Sequence, residues 1–403
     1  MIAAAPTLRT NATPGLWLRG CALAVAAASV AAVVSGTTGA TGAHPLIAAL
    51  AGPPLAALLV AALVSHRTLV VPAAATGALL LAAALAPLGP AHLSLAALAL
   101  AAASALAAAT LRGERLPAGA WRDYVTLTKP RIMVLLLLTG ACGAAVGAHG
   151  RPSATLMTTT LVGLGLACGG AAALNHVLDR DIDRLMGPRT AARPVASGRL
   201  SAPRALEFGL ALSAGSFTLL AATANLLTAV LALVGNLFYV LVYTGYLKRR
   251  GPQNIVLGGA AGAVPPLVGY AAATGSIAVP AIWLFALVCL WTPPHFWALA
   301  LLLKDHYAKA EVPMMPVVKG DRATVRRIVG YTVVLVAASV VPVATGTFGA
   351  LYLGAALALG GLFLALGWSL MRAPTKRGAA AVFHYSLLYL ALLFVAAAVD
   401  PLL

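Results

Sequence analysis

The stretch Leu161-Val-Gly-Leu-Gly-Leu-Ala-Cys-Gly-Gly-Ala-Ala-Ala-Leu174, followed without a break by Asn175-His-Val-Leu-Asp179-Arg-Asp-Ile-Asp183, decides how the chain is read. Its first half is an uninterrupted apolar run, and its second half places an amide and two carboxylates at intervals of four. That interval puts Asn175, Asp179 and Asp183 on one face of a helix, at the end of one membrane span and well before the next. Three hard oxygen groups in a row suit Mg²⁺, which usually takes one or two carboxylates and shares its shell with water and a substrate's phosphates. Acids this close to a bilayer are costly and tend to mark function. Arg184, Arg189, Arg193, Arg199 and Arg204 follow, guanidinium groups suited to clamp the same phosphates. The motif therefore predicts a diphosphate–Mg²⁺ site at a membrane surface.

Outward from this stretch, the whole chain is apolar. Hydrophobic residues make up 61% of it and charged residues 9%, with a mean hydropathy of +0.94; soluble domains are nearer about 25% charged. Runs long enough to cross a bilayer are expected near residues 17–36, 45–64, 69–87, 92–111, 132–149, 154–174, 205–224, 227–246, 254–274, 279–302, 327–346, 349–370 and 380–399. The expectation is an all-α polytopic membrane protein. The polar segment from Leu111 to Asp123 divides it into a region of about four helices, residues 1–116, and a nine-helix bundle, residues 117–403.

The net charge of +17 raises the possibility of nucleic acid, but its distribution argues against it. With the N-terminus inside, thirteen spans put nearly every Lys and Arg on the cytoplasmic side and leave only Arg151 in an outer loop. Charge that sets topology thus explains most of the excess, and the active loops are expected to be cytoplasmic. Cys21, Cys142, Cys168 and Cys289 sit singly in apolar spans and read as packing residues. The first apolar run reads better as an uncleaved helix than as a signal peptide.

Two later loops continue the pattern. Tyr243-Thr-Gly-Tyr-Leu-Lys248-Arg249-Arg250-Gly-Pro-Gln-Asn254 offers further diphosphate contacts, or a topology-setting basic cluster. Trp291-Thr-Pro-Pro-His295-Phe-Trp297 is expected to unwind its helix and aim an imidazole into the bundle; it precedes Lys304-Asp305-His306-Tyr307.

Thr-Lys-Pro-Arg131, Asn175-x3-Asp179-x3-Asp183, Arg193-Pro, Ser-Gly-Arg199, Leu-Lys-Arg-Arg-Gly-Pro-Gln-Asn254-Ile, Thr-Pro-Pro-His-Phe-Trp297 and Lys-Asp305-x-Tyr with Val-Pro-Met-x-Pro-Val-Val-Lys-Gly320 together resemble the protohaem IX farnesyltransferase (haem O synthase) branch of the UbiA-type intramembrane prenyltransferases. The likeness covers about Asp123 to the C-terminus. It implies nine helices around a lipid-open cavity, with Mg²⁺ and farnesyl diphosphate at the cytoplasmic end and protohaem IX as acceptor. On this resemblance Asn175, Asp179, Asp183, Lys304 and Asp305 are catalytic, and the first three hold the metal. Arg131, Arg193, Lys248, Arg249, Asn254, His295 and Tyr307 contact substrates. One departure stands out. The family pattern has one residue between Met186 and Arg-Thr, where this chain has Gly187-Pro188 before Arg189, so the place of Arg189 is in question.

The N-terminal region reads either as packing helices or, through His44 and His92, as a haem site. It weakly resembles one four-helix half of haem A synthase, and haem A synthase is a candidate partner. Two rival classes remain open. A prenyltransferase for quinone precursors or chlorophyll requires a second carboxylate cluster near residue 305, where only Asp305 and Glu311 stand. A secondary transporter more often places its ionisable groups at mid-membrane.

Overall fold

The computed structural model describes residues 120–403; the expected spans before residue 117, the boundary at residues 116 and 117, and His44 and His92 lie outside the described residues. Among the described residues every regular element is helical. Among the described residues nine helical segments are long and apolar enough to cross a membrane, the fourth only with its continuation to Arg249. They are α1 (Pro130–Gly147), α2 (Ala154–Leu178), α3 (Ala202–Thr223), α4 (Leu226–Leu237), α5 (Asn254–Thr274), α6 (Val279–Leu302), α7 (Asp321–Ala344), α8 (Ala350–Arg372) and α9 (Lys376–Val399). Beyond Leu237, α4 continues as a π-helix, Phe238–Thr244, and a 3₁₀ turn, Leu247–Arg249.

Each spanning helix packs on the next in the chain, and α9 returns to α1, so the bundle closes on itself. Lipid tails are as apolar as Leu, so association rests on close packing and on polar side chains between helices. The α1–α5 contact shows the first term. A Cβ added to Gly143 would lie 2.2 Å from the Pro266 carbonyl oxygen, and one on Gly269 would lie 1.9 Å from that of Gly140, so the two backbones touch. Polar ties show the second. Asn236 on α4 donates to the Ala167 carbonyl of α2 at 3.0 Å and to Ser213 of α3 at 2.9 Å. Tyr385 of α9 donates to the Leu359 carbonyl of α8 at 2.8 Å. At the end of the bundle away from the charged loops, Asp400 accepts from the Gly349 and Tyr352 amides and so caps the start of α8.

Three expectations need correction. The helix carrying Asn175 does not run on through Asp183: α2 ends at Leu178, Asp179 takes a non-helical backbone (φ −89°, ψ 3°), and a separate helix runs from Arg180 to Met186. The expected unwinding at Pro293-Pro294-His295 is absent, because α6 is continuous through both prolines. Trp291 Nε1 donates to the Ser386 carbonyl at 2.7 Å and His295 bonds Ser386 Oγ at 2.7 Å, so α9 holds the segment on both sides of the prolines. Lastly, α7 begins at Asp321 rather than 327, since its first turns are polar and lie beyond the apolar run.

Candidate active site

All the charged loops meet at one end of the bundle. The break at Asp179 lets the short helix Arg180–Met186 turn inward, and Asp179 and Asp183 both become 1% exposed. Asn175, on the last turn of α2, is itself buried. Its amide nitrogen donates to Asp179 Oδ2 at 2.8 Å and to Thr244 Oγ1 at 3.0 Å, and its oxygen accepts from Lys129 Nζ at 2.6 Å. Asn175 therefore positions the Asp179 carboxylate and ties it to two other elements.

Lys248 reaches the same carboxylate, Nζ to Asp179 Oδ2 at 2.5 Å. It can do so because the π-helical turn of α4 takes in an extra residue; Gly245 N bonds back to Val240 O, five residues earlier, at 3.0 Å. The wider turn rotates Thr244 and Lys248 toward the end of α2 and stacks Tyr239 on Tyr243 at 5.7 Å. Arg193 Nη1 holds Asp183 Oδ1 at 2.6 Å. Beneath the ions, Ile182, Met186, Tyr243, Ile255, Ala300 and Tyr307 pack as one apolar cluster.

Three cations thus surround two carboxylates. Burial, then repulsion from Arg193 and Lys248, lowers Lys129 to about 7. Burial also pushes the Asp183 carboxyl up, against the opposing Arg193 bond. Burial leads both shifts, which describe a site short of water; the Lys129 shift also records the crowding of cations. Asp179 Oδ1, Asp183 Oδ2 and Asn254 Oδ1 are buried, and none has a hydrogen-bond partner among the described residues. A buried orphan oxygen is costly. Two such carboxylate oxygens match what Mg²⁺ takes from a protein when phosphates and water supply the rest of its shell. Among the described residues no three His, Cys, Asp or Glu side chains group to hold a metal by themselves.

The other expected site residues fall into two groups. Asn254 donates to the Lys248 carbonyl at 3.3 Å and to Met314 Sδ at 3.7 Å, and so braces the Lys248 turn. Tyr307 is buried in the apolar cluster, where burial pushes its phenol up to about 12. The second group stays outside. Arg249 pairs with Asp181 at 2.7 Å, holding that carboxyl down to about 2, and also binds the Leu178 carbonyl. Lys304 Nζ is spent on Asp321 at 2.8 Å, while Asp305 and Arg131 are exposed. In the arginine run, Arg184 is spent on the Ala196 carbonyl and Arg199 on Asp123, and Arg189 is exposed. The extra Gly187 has φ +136°, and a Cβ there would lie 2.6 Å from the His306 ring, so that position requires glycine.

Sequence reading missed Lys129, whose place in the site had been expected of Arg131. The Pro that follows favours an extended backbone at the residue before it, yet Lys129 sits in the left-handed region at φ +51°, so no local rule signalled its inward turn. His176 was passed over too. It is 2% exposed, with neither ring nitrogen paired among the described residues.

The architecture defines a multi-pass helical membrane protein with an ionic site at one end of its bundle. The chain belongs to the UbiA prenyltransferase family, whose model matches residues 136–394. It is 51% identical over 280 residues to a Protoheme IX farnesyltransferase of Thermus thermophilus, across 70% of this chain and 46% of that one. It thus spans about half the length of that curated relative. It is 48% identical to Protoheme IX farnesyltransferase 1 of Pseudomonas fluorescens, across 72% of this chain and 97% of that one. Among solved structures, a digeranylgeranylglyceryl phosphate synthase shares the fold with a TM-score of 0.59 at 20% identity, covering 70% of this chain and 98% of that one. A UbiA homolog from Archaeoglobus fulgidus bound to GPP and Mg²⁺ does so at 0.53 and 17%, covering 68% and 99%.

Proposed function

We propose that residues 117–403 transfer a farnesyl group from farnesyl diphosphate to a vinyl group of protohaem IX, giving haem O for haem–copper oxidases. The relatives at about half identity carry the choice of substrates. The observation that carries the chemistry is the pair of buried carboxylates, each with a free oxygen, ringed by Lys129, Lys248 and Arg193.

Breaking the allylic C1–O bond sends an electron pair out with the diphosphate, so the leaving group must be neutralised. Lys248 and Arg193 supply fixed positive charge there, and Lys129, lowered to about 7 by burial and its cationic neighbours, gains its charge as the anionic diphosphate arrives. Asp179 and Asp183 would hold Mg²⁺, which when bound adds Lewis-acid charge to the same oxygens. Asn175 keeps Asp179 turned toward that position. The apolar cluster under the ions shields the allylic cation from water. The vinyl group then bonds to C1, and a water oxygen bonds to the positively charged carbon left on the porphyrin side chain; that water gives up its proton to the departed diphosphate or to solvent, which leaves the hydroxyl. No protein base has to remove a proton from the acceptor carbon.

The basic loops at the ionic end support a cytoplasmic position for it, by the positive-inside rule. Haem A synthase is the partner this reading implies. Membranes holding the full chain, given protohaem IX, farnesyl diphosphate and Mg²⁺, should yield a pigment heavier by one farnesyl group and one hydroxyl group. A prenylated quinone precursor, formed in place of that pigment when both acceptors are offered, would overturn the assignment.

A further inference from the structure

His295 lies on α6, seven residues before its last residue Leu302, and so about 10 Å below the ionic end at 1.5 Å per residue. Both faces of its ring are covered. Trp291 stacks on it at 4.2 Å and 16°, and Phe383 of α9 at 4.8 Å and 24°. Its Nδ1 edge is taken as well, bonded to Ser386 Oγ at 2.7 Å.

That bond has a direction. Ser386 is fully buried, and its single hydroxyl proton is committed to the Phe383 carbonyl at 2.6 Å. Ser386 Oγ can then only accept from the imidazole, so Nδ1 carries the proton and Nε2 keeps its lone pair. His295 is nonetheless only partly buried, so with both ring faces and the Nδ1 edge covered, the Nε2 edge is the part of the ring left for a ligand. What remains is a half-buried imidazole clamped on two faces, with its tautomer set and one edge open. An Nδ1–H bonded to an oxygen with Nε2 left free is the usual arrangement of a metal-ligating histidine, the bonded oxygen fixing ring orientation and raising basicity. A single histidine of this kind is how many proteins hold haem iron.

We infer that His295 Nε2 is the axial ligand to the iron of the porphyrin acceptor, with Ser386 as the positioning residue that sets its tautomer. The inference rests on protohaem being the acceptor, and it assigns the group that orients the macrocycle below the diphosphate site. Ligation through iron also separates this role from a purely packing one, since metal-free protoporphyrin IX has the same shape and no axial bond.

The test uses the full chain in lipid nanodiscs, titrated with protohaem IX and with metal-free protoporphyrin IX. His295→Ala should weaken protohaem binding tenfold or more and change protoporphyrin IX binding less than twofold. It should also abolish the iron–histidine stretch in the resonance Raman spectrum of the ferrous complex, and added imidazole should restore haem binding. Ser386→Ala should keep the iron–histidine bond but shift that stretch to lower frequency as the Nδ1–H loses its acceptor. An unchanged stretch in His295→Ala, or equal losses for both porphyrins without imidazole rescue, would overturn the inference. If wild-type protein shows the His295-dependent stretch but makes no farnesylated pigment, the proposed reaction fails and the ligation stands.

Discussion

The chain leaves the bundle twice in similar fashion, at the end of α2 and at the end of α6. Each time a spanning helix gives way to a short helix bearing acids and bases, Arg180–Met186 in one case and Lys304–Lys309 in the other. The two short helices pack against each other through Ile182, Met186 and Tyr307. Their charges fare differently. The first buries Asp179 and Asp183 with unpartnered oxygens, whereas the second exposes Asp305 and spends Lys304 on Asp321. What makes a carboxylate part of a site is where neighbouring elements can deliver cations. Arg193 reaches Asp183 on the first helix, Lys248 reaches Asp179 at its start and Lys129 reaches Asn175 just before it, whereas none of the three pairs with the second.

The most direct way to break this contrast is to remove a carboxylate. Asp179→Ala or Asp183→Ala should lower kcat/KM for farnesyl transfer by about 10²–10³, the scale of losing a charge-stabilising group in a desolvated site. Near-normal turnover in either variant at saturating Mg²⁺ would erase the distinction between the two helices. Lys248→Met should come next. It removes the diphosphate contact proposed for Lys248 and strands Asp179, and unpairing a buried ion costs about 3–5 kcal/mol. A raised KM for farnesyl diphosphate together with a lower unfolding temperature is expected, and a change in only one of them would separate binding from support.

Gly187→Ala tests the join between the two helices. The backbone at φ +136° and the His306 ring both oppose a Cβ. Strain of about 1–3 kcal/mol should appear as lost thermal stability with a smaller loss of turnover. His306→Ala in the same chain should recover part of it, and no recovery would mean that backbone strain dominates. For the second helix, Asp305→Asn and Lys304→Ala should each change kcat/KM less than about twofold, within the range of exposed pairs. A loss comparable to Asp179→Ala would show that the α6 loop closes over bound substrate. Smallest for chemistry is Asp400→Ala at the opposite end, which removes the cap of α8. It should cost about 1 kcal/mol of stability and leave transfer intact when assayed below the unfolding transition.

The positions of the nine helices were legible from apolar length alone, because a bilayer sets how long a spanning helix must be. Asn175, Asp179 and Asp183 stood out by their spacing, although the single helix it predicted breaks at Asp179, and the haem-branch segments stood out by their resemblance. The arginine run was only partly legible. Five guanidinium groups follow Asp183, but of Arg184, Arg193 and Arg199 only Arg193 reaches the carboxylates; the other two are bonded to Ala196 and Asp123. Spacing along a loop does not say which long side chain already has a partner.

What the sequence determined by itself was membrane insertion and, among the described residues, the nine spans, both properties of local composition and apolar length. Tertiary structure decided the rest. The break at Asp179, the π-turn that swings Lys248 inward and the left-handed turn at Lys129 bring together groups 46 and 69 residues apart. The tautomer of His295 likewise depends on Ser386, 91 residues later. Ion pairing and hydrogen-bond direction belong to groups that meet in space, and no period along the chain encodes which groups will meet.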